Sequence, residues 1–143
     1  MNNKKGQMNL SFGMIFSIIL IVFFIAFAFY GIKKFLEFQE TIKIKQFLTD
    51  LQDDVDSVWR GSQASQPKEY SLTKKIEAVC FKDDNYENLY FKSEKFIEGK
   101  LIEHLNTESF SVSGDLCFEN TNGKINLILK KEFGKALVSL EKP

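Results

Sequence analysis

The sequence predicts an α+β protein, with a long N-terminal helix, first transmembrane and then amphipathic, followed by a small antiparallel β-rich head. Three observations carry that prediction. A run without charge extends from Met14 to Ile32, apolar residues then recur at three- and four-residue spacing as far as Val58, and from Tyr70 onward strand-forming stretches alternate with turn signals. A chain of 143 residues suffices for one membrane segment and one small domain.

Charge divides the chain. Residues 1–32 hold only Lys4 and Lys5, so the rest of the 19 basic and all 19 acidic side chains follow Ile32, where acids outnumber bases by two. A near-neutral head lacks the basic footprint of a nucleic-acid binder, and no nucleic-acid partner is expected.

Residues 1–9 form a short basic segment and residues 10–32 the membrane helix. From Met14 to Ile32 only Ser17, Tyr30 and Gly31 interrupt the apolar series. At about 1.5 Å per residue this run covers a hydrocarbon core of about 30 Å. Each unpaired peptide group in hydrocarbon costs several kcal/mol, so the segment should be one continuous helix. The lipid bilayer is therefore the first expected partner. Three forms of such an anchor differ in their fate. A cleaved secretory signal would use Ala26, Phe27 and Ala28 as its A-x-A site, whereas an uncleaved signal anchor would need no further feature.

The third form is carried by Lys4, Lys5, Gly6, Gln7 and Met8, placed shortly before the apolar run. This arrangement resembles the class III signal of archaeal type IV pilin-like proteins, and the chain resembles small single-pass membrane proteins of archaea. The resemblance covers about the first thirty residues. It implies processing between Gly6 and Gln7, and a helix that leaves the membrane to pack in a filament core while a β-rich head faces outward. The fifth position after that cut is Ser11, where many pilins carry glutamate.

Residues 33–61 read as the amphipathic stalk. Ile44, Phe47, Leu48, Leu51, Val55 and Val58 share one stripe, with Phe35, Phe38 and Ile42 on an offset one. Trp59, Arg60 and Gly61 read as its end, with Gly61 expected in the left-handed conformation and Arg60 at the negative pole of the helix. Residues 62–69 are expected to be a linker. Asp50, Asp53, Asp54 and Asp56 lack the glycine turn and terminal glutamate of a calcium loop and read as a solvated acidic face, so no metal is assigned.

The head is assigned to residues 70–143. Ile76 to Phe81 and Leu89 to Phe91 read as strands around a Lys82-Asp83-Asp84-Asn85 turn. A helix capped by Ser93 would align Phe96, Ile97, Leu101 and Leu105, with Gly99 costing about 1 kcal/mol relative to alanine. Asp115 to Glu119, Lys124 to Lys130 and Ala136 to Leu140, joined at Asn122-Gly123 and Gly134, read as a three-stranded meander. Ile125, Leu127 and Leu129 share the face that the amphipathic helix would cover.

Cys80 and Cys117 each precede a phenylalanine in an expected strand, which leaves two readings open. A disulfide would need an oxidising exterior, whereas free thiols would act as small buried hydrophobes. His104, the sole histidine, reads as a surface residue on the expected helix. No GxGxxG, P-loop, GxSxG or HExxH sequence is present, so no catalytic residue, cofactor or small-molecule substrate is assigned and the chain is expected not to be an enzyme. Lys33, Lys34, Lys43 and Lys45 favour a cytoplasmic head by the positive-inside rule. The pilin-like signal and the possible disulfide favour an extracytoplasmic one, which is the reading adopted. The expected function is that of a single-pass surface protein, pilin-like, whose helix associates with other helices, including its own copies. The rival is a tethered accessory module of a secretion or envelope complex that does not polymerise.

Overall fold

The computed structural model of the protein describes residues 11–143. Helix α1 spans Phe12–Arg60. It begins at Ser11, whose Oγ accepts the Met14 N–H at 3.3 Å and whose carbonyl accepts the same group at 2.9 Å. Serine suits this position because its side chain satisfies one of the amides that a helix start leaves unpaired. At the other end the Arg60 guanidinium donates to the Asp56 carbonyl and the Lys131 ammonium to the Trp59 carbonyl, two cations placed on C=O groups at the negative end of the helix. Gly61 does not take the expected left-handed conformation. Its φ is not positive, and its N–H closes a tight final turn on the Val58 carbonyl at 3.1 Å.

The chain divides into two units, residues 1–39 and Glu40–Pro143. In the first, α1 is long and apolar enough to cross a membrane, and the apolar side chains from Phe12 to Phe38 are exposed. The Ser17 hydroxyl donates to the Gly13 carbonyl at 2.8 Å, so this polar group needs no water.

The second unit holds the head. On α1 the buried residues are Phe47, Leu48, Leu51, Val55 and Val58, the stripe predicted by spacing, with Ile44 partly buried beside them. They pack in one core with Ile125, Leu127 and Leu129 and with residues of a second sheet. The strands are β1 (Ala64–Ser71), β2 (Ile76–Phe81), β3 (Leu89–Ser93), β4 (Leu116–Glu119), β5 (Lys124–Lys131) and β6 (Ser139–Glu141), with the short helix α2 (Glu108–Ser113) before β4. They form two antiparallel sheets, ordered β1-β5-β6 and β3-β2-β4.

Three further expectations need correction. The expected linker of residues 62–69 is mostly strand, because β1 pairs with β5 from Ala64 opposite Lys131 to Ser71 opposite Lys124. Its polar sequence and Pro67 are tolerated at a sheet edge, where tertiary pairing overrides weak local preference.

The expected meander is divided between the sheets. Asn122 and Gly123, with φ of 54° and 83°, make the tight turn that Asn-Gly favours, but the turn links β4 of one sheet to β5 of the other. Asn120 fixes this crossing. Its side-chain amide donates to the Thr73 and Ile76 carbonyls at 2.9 and 2.8 Å, and its Oδ1 accepts the Gly123 N–H at 2.8 Å.

The helix expected from Ser93 to Leu105 does not form. The buried Asn88 side chain donates to the Ile102 carbonyl at 2.8 Å and accepts its N–H at 2.7 Å, while Leu89 and Lys100 exchange backbone bonds of 3.0 Å. These bonds draw the segment alongside β3 in extended form. Gly99 is needed for that approach, since a Cβ there would lie 2.2 Å from the Leu89 carbonyl oxygen.

Candidate functional site

The last turns of α1 carry the polar groups that meet the rest of the head. Asp54 accepts the Tyr70 hydroxyl at 2.7 Å and the Lys68 ammonium at 2.9 Å, both from β1. Burial, with the Asp54 carboxylate next, raises the Tyr70 pKa well above the ordinary phenol value. Two residues further, Asp56 lies 2.9 Å from His104 Nδ1 and accepts the Gln52 amide at 2.8 Å. Gln52 in turn accepts the Glu103 N–H at 2.9 Å. The hydrogen bond from His104, with Gln52 assisting, holds the Asp56 carboxyl below its ordinary range against the opposing effect of burial.

His104 does not lie on a helix. Its backbone sits at φ 64°, where the Val138 N–H donates to its carbonyl at 2.9 Å, and its ring stacks on Trp59 with centroids 3.8 Å apart and planes 9° from parallel. Leu105 and Val138 form a parallel bridge beside it. The acidic face is thus partly absorbed into the fold. Sequence reasoning missed this cluster, although Gln52, Asp56 and Trp59 stand at i, i+4 and i+7 on one helical face; nothing local to His104 announced its place above them.

A shallow depression of about 300 Å³ adjoins His104, lined in part by Asp84, Asn88, Glu103 and Thr107. Two aspartates of the neighbouring turn are engaged in shaping loops. Asp84 accepts the Tyr86 and Glu87 N–H groups at 2.8 and 3.1 Å, which lowers its pKa, and Asp83 accepts the hydroxyls of Ser111 and Thr107, which lowers its own. A second open depression beside β3 holds the Tyr90 hydroxyl, which donates to Asp115 at 2.6 Å; that bond, with some burial, pushes the phenol up to about 12.

An oriented His–Asp pair is the arrangement that holds a general base in place, but such a base needs a nucleophile or substrate within its reach. Cys80 and Cys117 stand directly opposite on β2 and β4 and form a disulfide across a sequence separation of 37, so neither is a free thiol. Among the described residues no group of three or more His, Cys, Asp or Glu side chains is placed to hold a metal ion. Gly6 and Gln7, the expected processing site, lie outside the described residues. Comparison of the chain with protein-family models, with curated proteins and with solved structures gives no significant match.

Proposed function

We propose that this chain is a single-pass membrane protein whose disulfide-closed head works outside the cytoplasm through its surfaces, without a reaction centre of its own. The observation that carries this reading is the Cys80–Cys117 bond, since such a bond persists in oxidising compartments and is rare in the cytosol. The apolar run of α1 supplies the anchor. The depressions are open, and the Asp84 and Asp115 carboxylates that line them are already hydrogen-bonded within the head, which supports action by contact surface.

Within this reading the chain serves as a pilin-like subunit whose helix packs against copies of itself. A tethered accessory module of an envelope complex is the second form, favoured by Lys33, Lys34, Lys43 and Lys45, which suit a helix retained at the membrane surface. The test is thiol trapping in intact cells with a membrane-impermeant alkylating reagent, followed by mass spectrometry of the purified chain. Cysteines that react only after reduction, by a reductant that does not enter the cell, support an external head; cysteines alkylated without reductant after lysis overturn it. The same spectra separate the two forms, because an N-terminal peptide beginning at Gln7 supports prepilin-type processing and one beginning at Met1 supports the tethered module.

A further inference from the structure

We propose that Cys117 is the sulfur through which a thiol–disulfide exchange partner opens and closes the disulfide of the head, with Cys80 as the leaving and resolving thiol. This inference needs the Cys80–Cys117 bond and is independent of the anchor and of filament assembly.

Sheet order sets what stands on either side of the bond. Cys80 of the central strand β2 pairs with Tyr90 of β3 on one side and with Cys117 of the edge strand β4 on the other. Residues paired across strands share a face, so these side chains follow one another as Tyr90, Cys80, Cys117. A thiolate displaces one sulfur from the other by approaching in line with the S–S bond, from the side opposite the leaving sulfur. For Cys80 that is the β3 side, where Tyr90 stands. Tyr90 is held across β2, because its hydroxyl donates at 2.6 Å to Asp115, two residues before Cys117, and the Lys82 ammonium lies 5.7 Å from its ring centroid. Cys80 is accordingly 1 % exposed. For Cys117 the approach comes from beyond β4, where the sheet ends, and this residue is half-buried.

The backbone at that edge is open as well. The Asn120 N–H donates to the Glu77 carbonyl at 2.8 Å, and bonded residues alternate along an antiparallel ladder. Leu116 and Phe118 therefore turn their N–H and C=O groups to β2, while Cys117 turns its own outward, where among the described residues they have no partner. The other sheet edges are closed in part. Leu89 of β3 exchanges bonds with Lys100, Val138 beside β6 bonds His104 and Asn106, and on β1 the same alternation puts Pro67, which has no N–H, at an outward position. An extended segment of the partner laid along β4 bonds the Cys117 backbone on the side from which its sulfur is reached.

Opening takes two exchanges. The partner's first thiolate bonds to Cys117 Sγ as the S–S bond breaks, and the electron pair leaves on Cys80 as thiolate. The partner's second thiolate then attacks its own sulfur in the mixed disulfide, and Cys117 leaves as thiolate. The partner departs as a disulfide, having given two electrons to the head, and the two protons its thiols lost end on Cys80 and Cys117. Closing is the reverse, with Cys117 attacking the partner's disulfide and Cys80 resolving the mixed one.

The experiment uses the folded, detergent-solubilised full chain and cysteamine, a cationic thiol suited to the Asp115 and Glu119 carboxylates two residues to either side of Cys117. Exchange is quenched in acid at early times, and the mixed disulfide is located by mass spectrometry of peptic peptides. Cysteamine should be found on Cys117 at least about tenfold more often than on Cys80. In a Tyr90→Ala variant, its fold checked by Trp59 fluorescence, the share on Cys80 should rise severalfold. An adduct divided equally in the parent chain, or found mainly on Cys80, overturns the assignment. Exchange that occurs only after urea unfolds the head overturns it too, because the fold then seals both sulfurs. A Tyr90→Ala variant with the parent's ratio overturns the shielding on which the assignment rests.

Discussion

Asp56 Oδ1 lies 2.9 Å from Nδ1 of His104, joining the last turn but one of α1 to a residue 48 positions later whose backbone is held in the left-handed region. The carboxylate is therefore a docking group. Because its folded pKa is depressed, its contribution is fully present above the ordinary carboxyl value of 3.8 and is lost as pH falls through the lower, folded value. Asp56→Asn should cost about 1 kcal/mol at pH 7, and the difference from the parent protein should shrink below about pH 4. Trp59, stacked on His104 and the only tryptophan, reports the loss by fluorescence during thermal unfolding. A difference that grows on acidification would contradict the assignment.

Two glycines separate close approach from backbone strain. A Cβ at Gly99 would lie 2.2 Å from the Leu89 carbonyl oxygen, and backbone cannot yield as a side-chain tip can. Gly99→Ala should cost about 2–3 kcal/mol, and it should speed amide exchange at Leu89 and Lys100, whose reciprocal bonds it would part. At Gly134, with φ of 79° and nothing within 4 Å of an added Cβ, alanine should cost only about 1 kcal/mol through strain. Equal destabilisation by the two changes, measured by urea unfolding, would remove close approach as the reason for Gly99.

Phe47 marks where the helix turns from exposed to buried. It is 2 % exposed and packs edge-on with Tyr70 and Phe91 at centroid distances of 5.4 and 6.1 Å, touching one strand from each sheet. Phe47→Ala should cost about 3–5 kcal/mol. Phe38→Ala, nine residues earlier on an exposed face, should leave the unfolding midpoint of the head unchanged. Circular dichroism melts of the detergent-solubilised full chain distinguish the two.

What periodicity could reveal, it revealed. The stripe from Phe47 to Val58 and the alternation of Ile125, Leu127 and Leu129 both follow from one buried face per element, and both are buried as expected. The missed features depend on partners distant in sequence. β1 has no hydrophobic pattern of its own and exists because β5 offers it a ladder. The stretch 94–105 has helix-like spacing, yet Asn88 supplies backbone-like bonds to Ile102 that hold it extended. The site was legible to the same degree. Asp54 and Asp56 were visible as charges, but their partners Tyr70 and His104 become neighbours only once the fold has formed.

The Cys80–Cys117 bond tests how far this small head depends on a covalent link. It joins central strand β2 to edge strand β4, and β4 otherwise holds to β2 over only four residue pairs, from Ala78 with Glu119 to Phe81 with Leu116. With a sequence separation of 37 between the cysteines, chain entropy alone assigns the link about 4 kcal/mol, a large part of the stability of a domain this size. The paired change Cys80→Ala and Cys117→Ala should therefore lower unfolding free energy by about 2–4 kcal/mol, below the full entropic figure where the reduced unfolded chain keeps residual structure. Addition of a dithiol reductant to the parent protein should lower its urea midpoint towards that of the variant and leave the variant unmoved. If reductant shifts neither protein, β4 is held by its ladder and by Phe118 in the core, and the bond adds nothing to equilibrium stability.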